Sequence, residues 1–578
     1  MKVLTFCDQN LENTLLFQSC VEYGITVINL YHGEKWSTNS IKLRHLNEYL
    51  NTADLEEIYL VVDAFDVIIS SNESEILKTF LQFNSEILFS AEANFYFRHE
   101  NLNYYYWKFY PRQSTHFEYL NSGSFIGKGL HIRRMIQHIS ELYEIDLNNY
   151  EQLEKLRSDQ YIFSRYYVDL HYARKNDQKV QISLDHQQKL LGCSGGRMLA
   201  YQVFTKSKLL SYLRFKIERQ WLKSFSLSTF QLLSSDYQFE NEKFTTKTLQ
   251  NAPSVLHIPG SRGYFGKQLS IIQNQRLVFK EPKWYLAVLV STFSLVQLFL
   301  WVLLISIFNR KFFRYEDIFR DKKHTNQDFS NASEIILEYL EKKTPFSFSH
   351  FNDGELDFIK RFLNEDDKQV WFGRKQNLYS EELGEKLYAA FSTIKQNSLI
   401  GIPCSICHPA EYSLASKLKK GSANCVPAMT IHHNLSVLPT LFQILRSRKV
   451  HFICNVLHDL TLFRLLGIKF TDKQVTRVPT KNAFSEFDQL ELLKFPADTV
   501  VLMMCGMVGK ALIPTLSTNN PSCSFLTLGS SLDDFIQNDN MRFRLFPSKL
   551  PLTRNIRNSR SFLFGKKNKC PECYNFTS

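Results

Sequence analysis

The sequence predicts an α/β protein of two globular halves, each built on a parallel sheet, separated by one hydrophobic transmembrane helix. Three observations predict it. Short apolar runs alternate with amphipathic stretches in both halves, a charge-free run of 25 residues divides them, and 578 residues exceed what one core can hold.

In the first half KVLTFC, ITVINLY, IYLVVD and ILFSAE read as strands; in the second, SLIGIPC, VHFICNV and TVVLMMCG do. Sheets of this kind gather their ligands beyond the carboxyl ends of the strands. The dividing run, 284–308, is WYLAVLVSTFSLVQLFLWVLLISIF. As a helix it would measure ~37 Å, enough for a hydrocarbon core of ~30 Å. Trp284, Tyr285 and Trp301 suit an interfacial position, and Lys283, Arg310, Lys311 and Arg314 bracket the run. A buried core helix is the competing reading, but apolar residues on every face favour the membrane. The expected boundaries are therefore 1–280, 284–308 and 325–565.

Four basic residues precede the run (267–283) and six follow it (309–323), which places the C-terminal side in the cytosol. The first residues, MKVLTFCDQN, read as a buried strand and not as a secretory signal, so the two topology cues disagree. Sequons at Asn72, Asn331, Asn434 and Asn575 matter only inside a secretory lumen.

The composition, 44% hydrophobic and 22% charged, is that of an ordinary folded protein. The net charge of +12 is scattered, with no basic arm and no recognisable nucleic-acid module, so DNA and RNA are not expected partners. A basic surface suits nucleotides and phospholipid heads equally. Most of the eleven cysteines stand singly in apolar stretches, as buried thiols would. Cys404/Cys407 and Cys570/Cys573 have zinc-ligand spacing within each pair, but they lie far apart in different contexts. Core thiols and a loose tail are the expected reading.

The segment EIYLVVDAFDVII, 57–69, sets two acids where a buried strand ends. Carboxylates at Asp63 and Asp66 can converge at a turn on one hard cation, which then bridges a diphosphate and steadies a leaving group. Taken alone, the spacing is equally that of two acids capping a helix. Further along come FSAEANF (89–95), YLNSGSFIGKG (119–129), SDQYIFSRYY (158–167), ISLDHQQKL (182–190) and VLHIPGSRG (255–263).

In order and spacing, these motifs resemble the glycosyltransferase domain of the procollagen lysyl hydroxylases and related collagen glycosyltransferases, from Lys2 to about residue 270. The resemblance implies a GT-A fold, a UDP-sugar donor and Mn²⁺. It assigns Asp63, Asp66 and His257 to the metal, a hard-to-borderline donor set that suits manganese. Phe65 matches a tyrosine that stacks on uracil, and Lys42 a lysine near the nucleotide. Asn121 and Gly123 match an Asn-Ser-Gly turn by the donor sugar, and Asp159 an acid near the reacting centre. Gly260 and Arg262 fall in the phosphate-holding segment.

The chain departs from the family in three places. EKLRSD replaces an acidic run before Asp159. NFYFRHENLNYYYWKFY, with Trp107, replaces a tryptophan-containing loop. His257-Ile-Pro-Gly260-Ser-Arg-Gly263 lacks the family's phosphate lysine, for which Arg262 or Lys267 would substitute with different geometry. The iron-binding His-x-Asp pair of the hydroxylase half has no counterpart in the second half, so lysine hydroxylation is not expected.

The second half opens a different constellation. In SFSHFNDGELDFI, 347–359, Asp353 and Glu355 flank Gly354 at the end of a short alternating strand. On a strand or turn they would share a face and could hold a metal; at a helix start they would be first-turn acids. VVLMMCGMVGKALIPTL, 500–516, runs a buried strand into a glycine turn and a helix, where a diphosphate would meet backbone N–H groups. It lacks the P-loop pattern, which excludes an ATPase of that type. CSFLTLGSSLDDF, 523–535, adds another strand with Gly529, Asp533 and Asp534.

This trio resembles the bacterial GT-D glycosyltransferases over about 330–540, with Asn352 where that family has glycine. The resemblance implies metal-binding and catalytic roles for Asp353 and Glu355, and donor contacts for Gly506, Gly509 and Lys510. Together the halves predict two Rossmann-like domains, GT-A then GT-D-like, in a single-pass membrane-attached enzyme. Its expected reaction is transfer of a hexose from a UDP-sugar to a protein or glycan acceptor with a divalent metal. The alternative is a non-catalytic membrane scaffold built from degenerate transferase domains.

Overall fold

The computed structural model describes residues 1–174, 180–194, 237–259, 327–363, 380–403, 409–419, 425–479 and 483–529, apart from short gaps within these ranges, together with Leu532. The hydrophobic run 284–308 lies outside the described residues, as do Gly260, Arg262, Lys267, Asp533, Asp534 and both Cys-x-x-Cys pairs. Among the described residues no helix is long and apolar enough to cross a membrane. The chain divides into two compact units, Met1–His171 with Lys175–Phe312, and Tyr172–Arg174 with Phe313–Ser578. Both are α/β with Rossmann-like sheets.

The first unit carries eleven described strands: β1 (Lys2–Thr5), β2 (Val27–Asn29), β3 (Ile58–Val62), β4 (Val67–Ile69), β5 (Ile87–Glu92), β6 (Tyr119–Lys128), β7 (Ile182–Asp185), β8 (Leu191–Cys193), β9 (Tyr237–Glu240), β10 (Lys243–Thr246) and β11 (Val255–His257). A six-stranded sheet runs β2-β1-β3-β6-β5-β7, a three-stranded one runs β4-β11-β8, and β9 pairs with β10. Apolar runs such as IYLVV form strands covered on both faces, and Tyr59, Leu60, Val61 and Val62 are all buried. Val3, Leu16, Leu60, Val62, Val67, Leu88, Ile126 and Val255 meet in one core that joins the two sheets.

Two expectations need correction. The large sheet is mixed, because β6 runs antiparallel to both β3 and β5. Asn121 and Gly123 belong to that central strand and not to a turn. Their unusual course has a local cause. Phe89 pairs with Phe125 while the next residue, Ser90, pairs with Asn121, so residues 122–124 have no counterpart on β5. Such a bulge re-aims the side chains beside it.

The second unit has a seven-stranded sheet in the order β14-β13-β12-β18-β17-β15-β16. Its strands are β12 (Ser347–His350), β13 (Ser398–Ile402), β14 (Cys425–Pro427), β15 (Lys449–Asn455), β16 (Val475–Val478), β17 (Thr499–Met504) and β18 (Ser524–Thr527). Every pairing is parallel. The chain steps outward from β12 to β14, then fills the other side and returns to lie against β12 as β18. In open parallel sheets ligands usually bind at such a reversal, here past the carboxyl end of β12. Leu356, Ile359, Leu383, Leu387, Val508 and Leu512 cover one face of the sheet from three helices, Asp353–Phe362, Glu381–Ser392 and Met507–Asn519.

Candidate metal and nucleotide site

The four-residue link from Asp63 to Asp66 carries the chain from the large sheet into the small one. Asp63 follows β3, and its N–H donates to Gly123 O at 3.0 Å. Asp66 precedes β4, and its carbonyl accepts Ile258 N–H at 2.8 Å. Because β11 pairs antiparallel with β4, His257 falls opposite Val67, beside Asp66. One ligand atom from each of Asp63, Asp66 and His257 lies within 4.8 Å of the others. His257 Nε2 stands 3.5 Å from Asp66 Oδ2 and 4.0 Å from Asp63 Oδ2.

These residues fit a cation. Nε2 of His257 is buried and makes no hydrogen bond among the described residues, while its Nδ1 is held 2.7 Å from Asn121 Oδ1. A modest contraction brings all three donors to the ~2.0–2.2 Å that such a cation requires. The imidazole lies against the Gly123 backbone, since a Cβ there would sit 2.1 Å from His257 Cε1. Only glycine leaves the ring its place.

Lys42, on the buried face of the helix Ile41–Leu50, pairs with Asp63 and lies 3.5 Å from Asp159 Oδ2. Burial pushes its ammonium down, but the Asp159 and Asp63 carboxylates outweigh that and hold its pKa above the usual lysine range. Asp63 is raised by burial, against the pull of Lys42, with Asp66 adding repulsion. His257 is likewise held well above its ordinary value: burial opposes its charge, and the Asp66 carboxylate overrides. The cluster thus holds acidic groups that share too few positive charges.

Asp159 opens the helix Asp159–Tyr172 and is buried. Phe65 sits half-buried between the two acids. Trp107 lies partly buried in the helix Asn103–Phe109. Sequence reasoning missed two neighbours, Glu92 and Gln160. Glu92, the last residue of β5, accepts from Asn121 Nδ2 at 3.1 Å and from Gln160 Nε2. Burial raises it to about 7 although both amides favour its charged form. Its signal was available, as an acid ending the buried run ILFSAE.

In the second unit Asp353 and Glu355 are the first and third residues of a helix, and so do not share a strand face. Asn352 and Glu355 form a capping box. Glu355 accepts Asn352 N–H at 2.9 Å through one oxygen and pairs with Lys510 through the other. The Asp353 side chain lies outside the described residues. Gly506 has φ 68° and ψ −138°, a conformation that effectively requires glycine. A Cβ on Gly509 would lie 2.9 Å from Cys505 Sγ. The strand–turn–helix therefore exists as read, but its lysine and glutamate face each other.

Residues 1–197 match the family model described as the PLOD GT domain. That N-terminal stretch carries a PLOD GT domain. The match includes Lys42, Asp63, Asp66, Asn121 and Asp159 and stops before His257, which the fold alone brings to the acids. Among curated proteins the chain is similar to the human multifunctional procollagen lysine hydroxylase and glycosyltransferase LH3, 29% identical over 199 residues, covering 32% of this chain and 24% of that protein. It is also similar to human procollagen-lysine,2-oxoglutarate 5-dioxygenase 2, 26% identical over 189 residues, covering 31% and 23%. The chain thus spans about a quarter of the length of the relatives it matches.

Several solved structures match as well, among them two glycosyltransferases by description. One is described as the highly conserved domain of unknown function 1792 with a distinct glycosyltransferase fold, at 17% identity and TM-score 0.26, covering 38% of this chain and 84% of that one. The other is a glycosyltransferase (DUF1792) from Streptococcus sanguinis, at 16% identity and TM-score 0.27, covering 37% and 82%. At such scores neither carries an inference about this chain.

Proposed function

We propose that the N-terminal unit transfers a hexose from a UDP-sugar to a protein or glycan acceptor, with Mn²⁺ or another divalent ion held by Asp63, Asp66 and His257. The convergence of these three residues, from a link between two sheets and from a strand far along the chain, carries the reading. The ion, when bound, supplies charge to neutralise the diphosphate leaving group. Lys42 adds a fixed positive charge within reach of Asp63 and Asp159, and Phe65 offers a ring face to the uracil. In this reading Asn121 and Gly123 on β6 belong to the donor-sugar side, and Asp159 is the acid near the reacting centre. Gly260 and Arg262 would complete the phosphate contacts. The second unit is proposed as a GT-D-like domain with its own donor site around Asp353, Glu355, Gly506 and Lys510.

Mass spectrometry of the full chain with a panel of UDP-sugars and Mn²⁺ tests this reading. Release of UDP with hexose transfer or hydrolysis for at least one donor, lost in EDTA, is the expected result. A folded chain inert toward every donor would instead match a scaffold of degenerate domains. We also propose that 284–308 anchors the chain in a bilayer. Deleting those residues should release the protein from carbonate-washed membranes; pelleting that survives the deletion contradicts the anchor.

A further inference from the structure

The side-chain amide of Asn121 has only one orientation that its neighbours accept. Its Oδ1 receives Gly123 N–H at 2.9 Å, and Ser90 Oγ lies 3.5 Å from it. A backbone N–H can only donate, so the atom it meets is the carbonyl oxygen. On the other side, Nδ2 donates to Glu92 Oε1, which also receives Gln160 Nε2. The two constraints agree. Oδ1 is therefore an acceptor where it meets His257 Nδ1 at 2.7 Å. That contact obliges Nδ1 to carry the proton, and in the neutral ring it leaves the lone pair on Nε2, the nitrogen facing Asp66 and Asp63.

We propose that Glu92, acting through Asn121, is a positioning residue that fixes the tautomer and ring plane of His257 so that Nε2 is the cation-ligating nitrogen. The inference rests on reading Asp63, Asp66 and His257 as a cation site. Each link comes from a different element: Glu92 from β5, Asn121 from β6, His257 from β11 and Gln160 from the helix Asp159–Tyr172. All four side chains are buried, so water offers no substitute partners. Without the acceptor at position 92, only the Gly123 N–H and the more distant Ser90 hydroxyl, among the described residues, oppose a half-turn of the Asn121 amide. Turned, it would present Nδ2–H to Nδ1 and drive the ring proton onto Nε2, where the cation belongs. Outer hydrogen bonds of this kind govern metal affinity at histidine ligands.

The test measures binding of Mn²⁺ alone to the full chain by electron paramagnetic resonance of the free ion, alongside the metal-free thermal midpoint. Glu92→Leu is expected to weaken Mn²⁺ binding ~10–100-fold. Glu92→Gln can turn its carbonyl to the same two amides and should recover most of that loss, which a purely space-filling role does not predict. Asn121→Asp keeps an oxygen on Nδ1 and should bind at least ten-fold more tightly than Asn121→Leu. If Glu92→Leu does not fold, the two Asn121 variants decide the matter, and equal affinities overturn the proposal. Wild-type affinity in Glu92→Leu, with binding lost in Asp66→Ala, overturns the relay and leaves the cation site standing. No Mn²⁺ binding by the wild-type chain overturns both.

Discussion

Asp66→Ala is expected to abolish manganese-dependent UDP binding while leaving the metal-free protein folded. Its carboxylate is one of the three proposed donors, so its loss should exceed the ~10–100-fold cost of an outer partner. The fold, by contrast, uses Asp66 through its backbone, whose carbonyl accepts Ile258 N–H, and alanine preserves that bond. Removing the charge relieves repulsion on Asp63 but also takes from His257 the carboxylate that favours its charged form, so the two electrostatic changes oppose each other. The two states should therefore part company. At a Mn²⁺ concentration of ~100 times its Kd the wild-type fold gains about 2.7 kcal/mol, and the variant gains none. Calorimetric titration of UDP with and without Mn²⁺, beside melting curves, checks both halves. Unchanged manganese-dependent affinity in a folded variant would sink the assignment.

The second large effect concerns stability. Lys510 and Glu355 pair with side chains only 4% and 10% exposed. Their attraction offsets the cost of removing two charges from water, and deleting one partner strands the other. Lys510→Met should therefore cost ~3–5 kcal/mol in the unfolding of the second unit. Glu355→Gln combined with Lys510→Met should restore a large part of it, because glutamine can still accept Asn352 N–H and no charge is left buried. Urea midpoints of wild type, Lys510→Met, Glu355→Gln and the double variant form the cycle. A single variant within about 0.5 kcal/mol of wild type would mean that water reaches this pair and that its burial carries no cost.

How much of this was legible in the sequence follows from what sequence encodes. Runs such as IYLVV and TVVLMM have to be covered strands, so the strands expected in both halves are present with ends trimmed by a residue or two. The acids of the Asp63–Asp66 link were legible because a strand end is a local feature. The direction and centrality of β6 were not, since YLNSGSFIGK carries polar and small residues where a central strand is usually apolar, and its bulge is a property of pairing. His257 could be placed beside Asp66 only by resemblance, because register between β4 and β11 is written in no single segment. Glu355 illustrates the reverse. Its acid was noticed, but whether it faced a metal or a lysine depended on a helix that starts one residue after Asn352.

The order of strands in the small sheet has a consequence for how the first unit comes into being. β11 is the middle strand there, with β4 on one side and β8 on the other. In sequence it arrives last, 191 positions after Asp66 (257 − 66). During synthesis at about 5–20 residues per second, β4 emerges roughly 10–40 s before β11, its partner in that sheet among the described residues. Over that interval its hydrogen-bonding edge and the two acids are open to solvent and to other chains, and the sheet cannot close. Residues 1–197 alone never close it at all. The segment that completes the cluster of acids is therefore also the segment that ends the period in which the nascent unit is most exposed to mispairing.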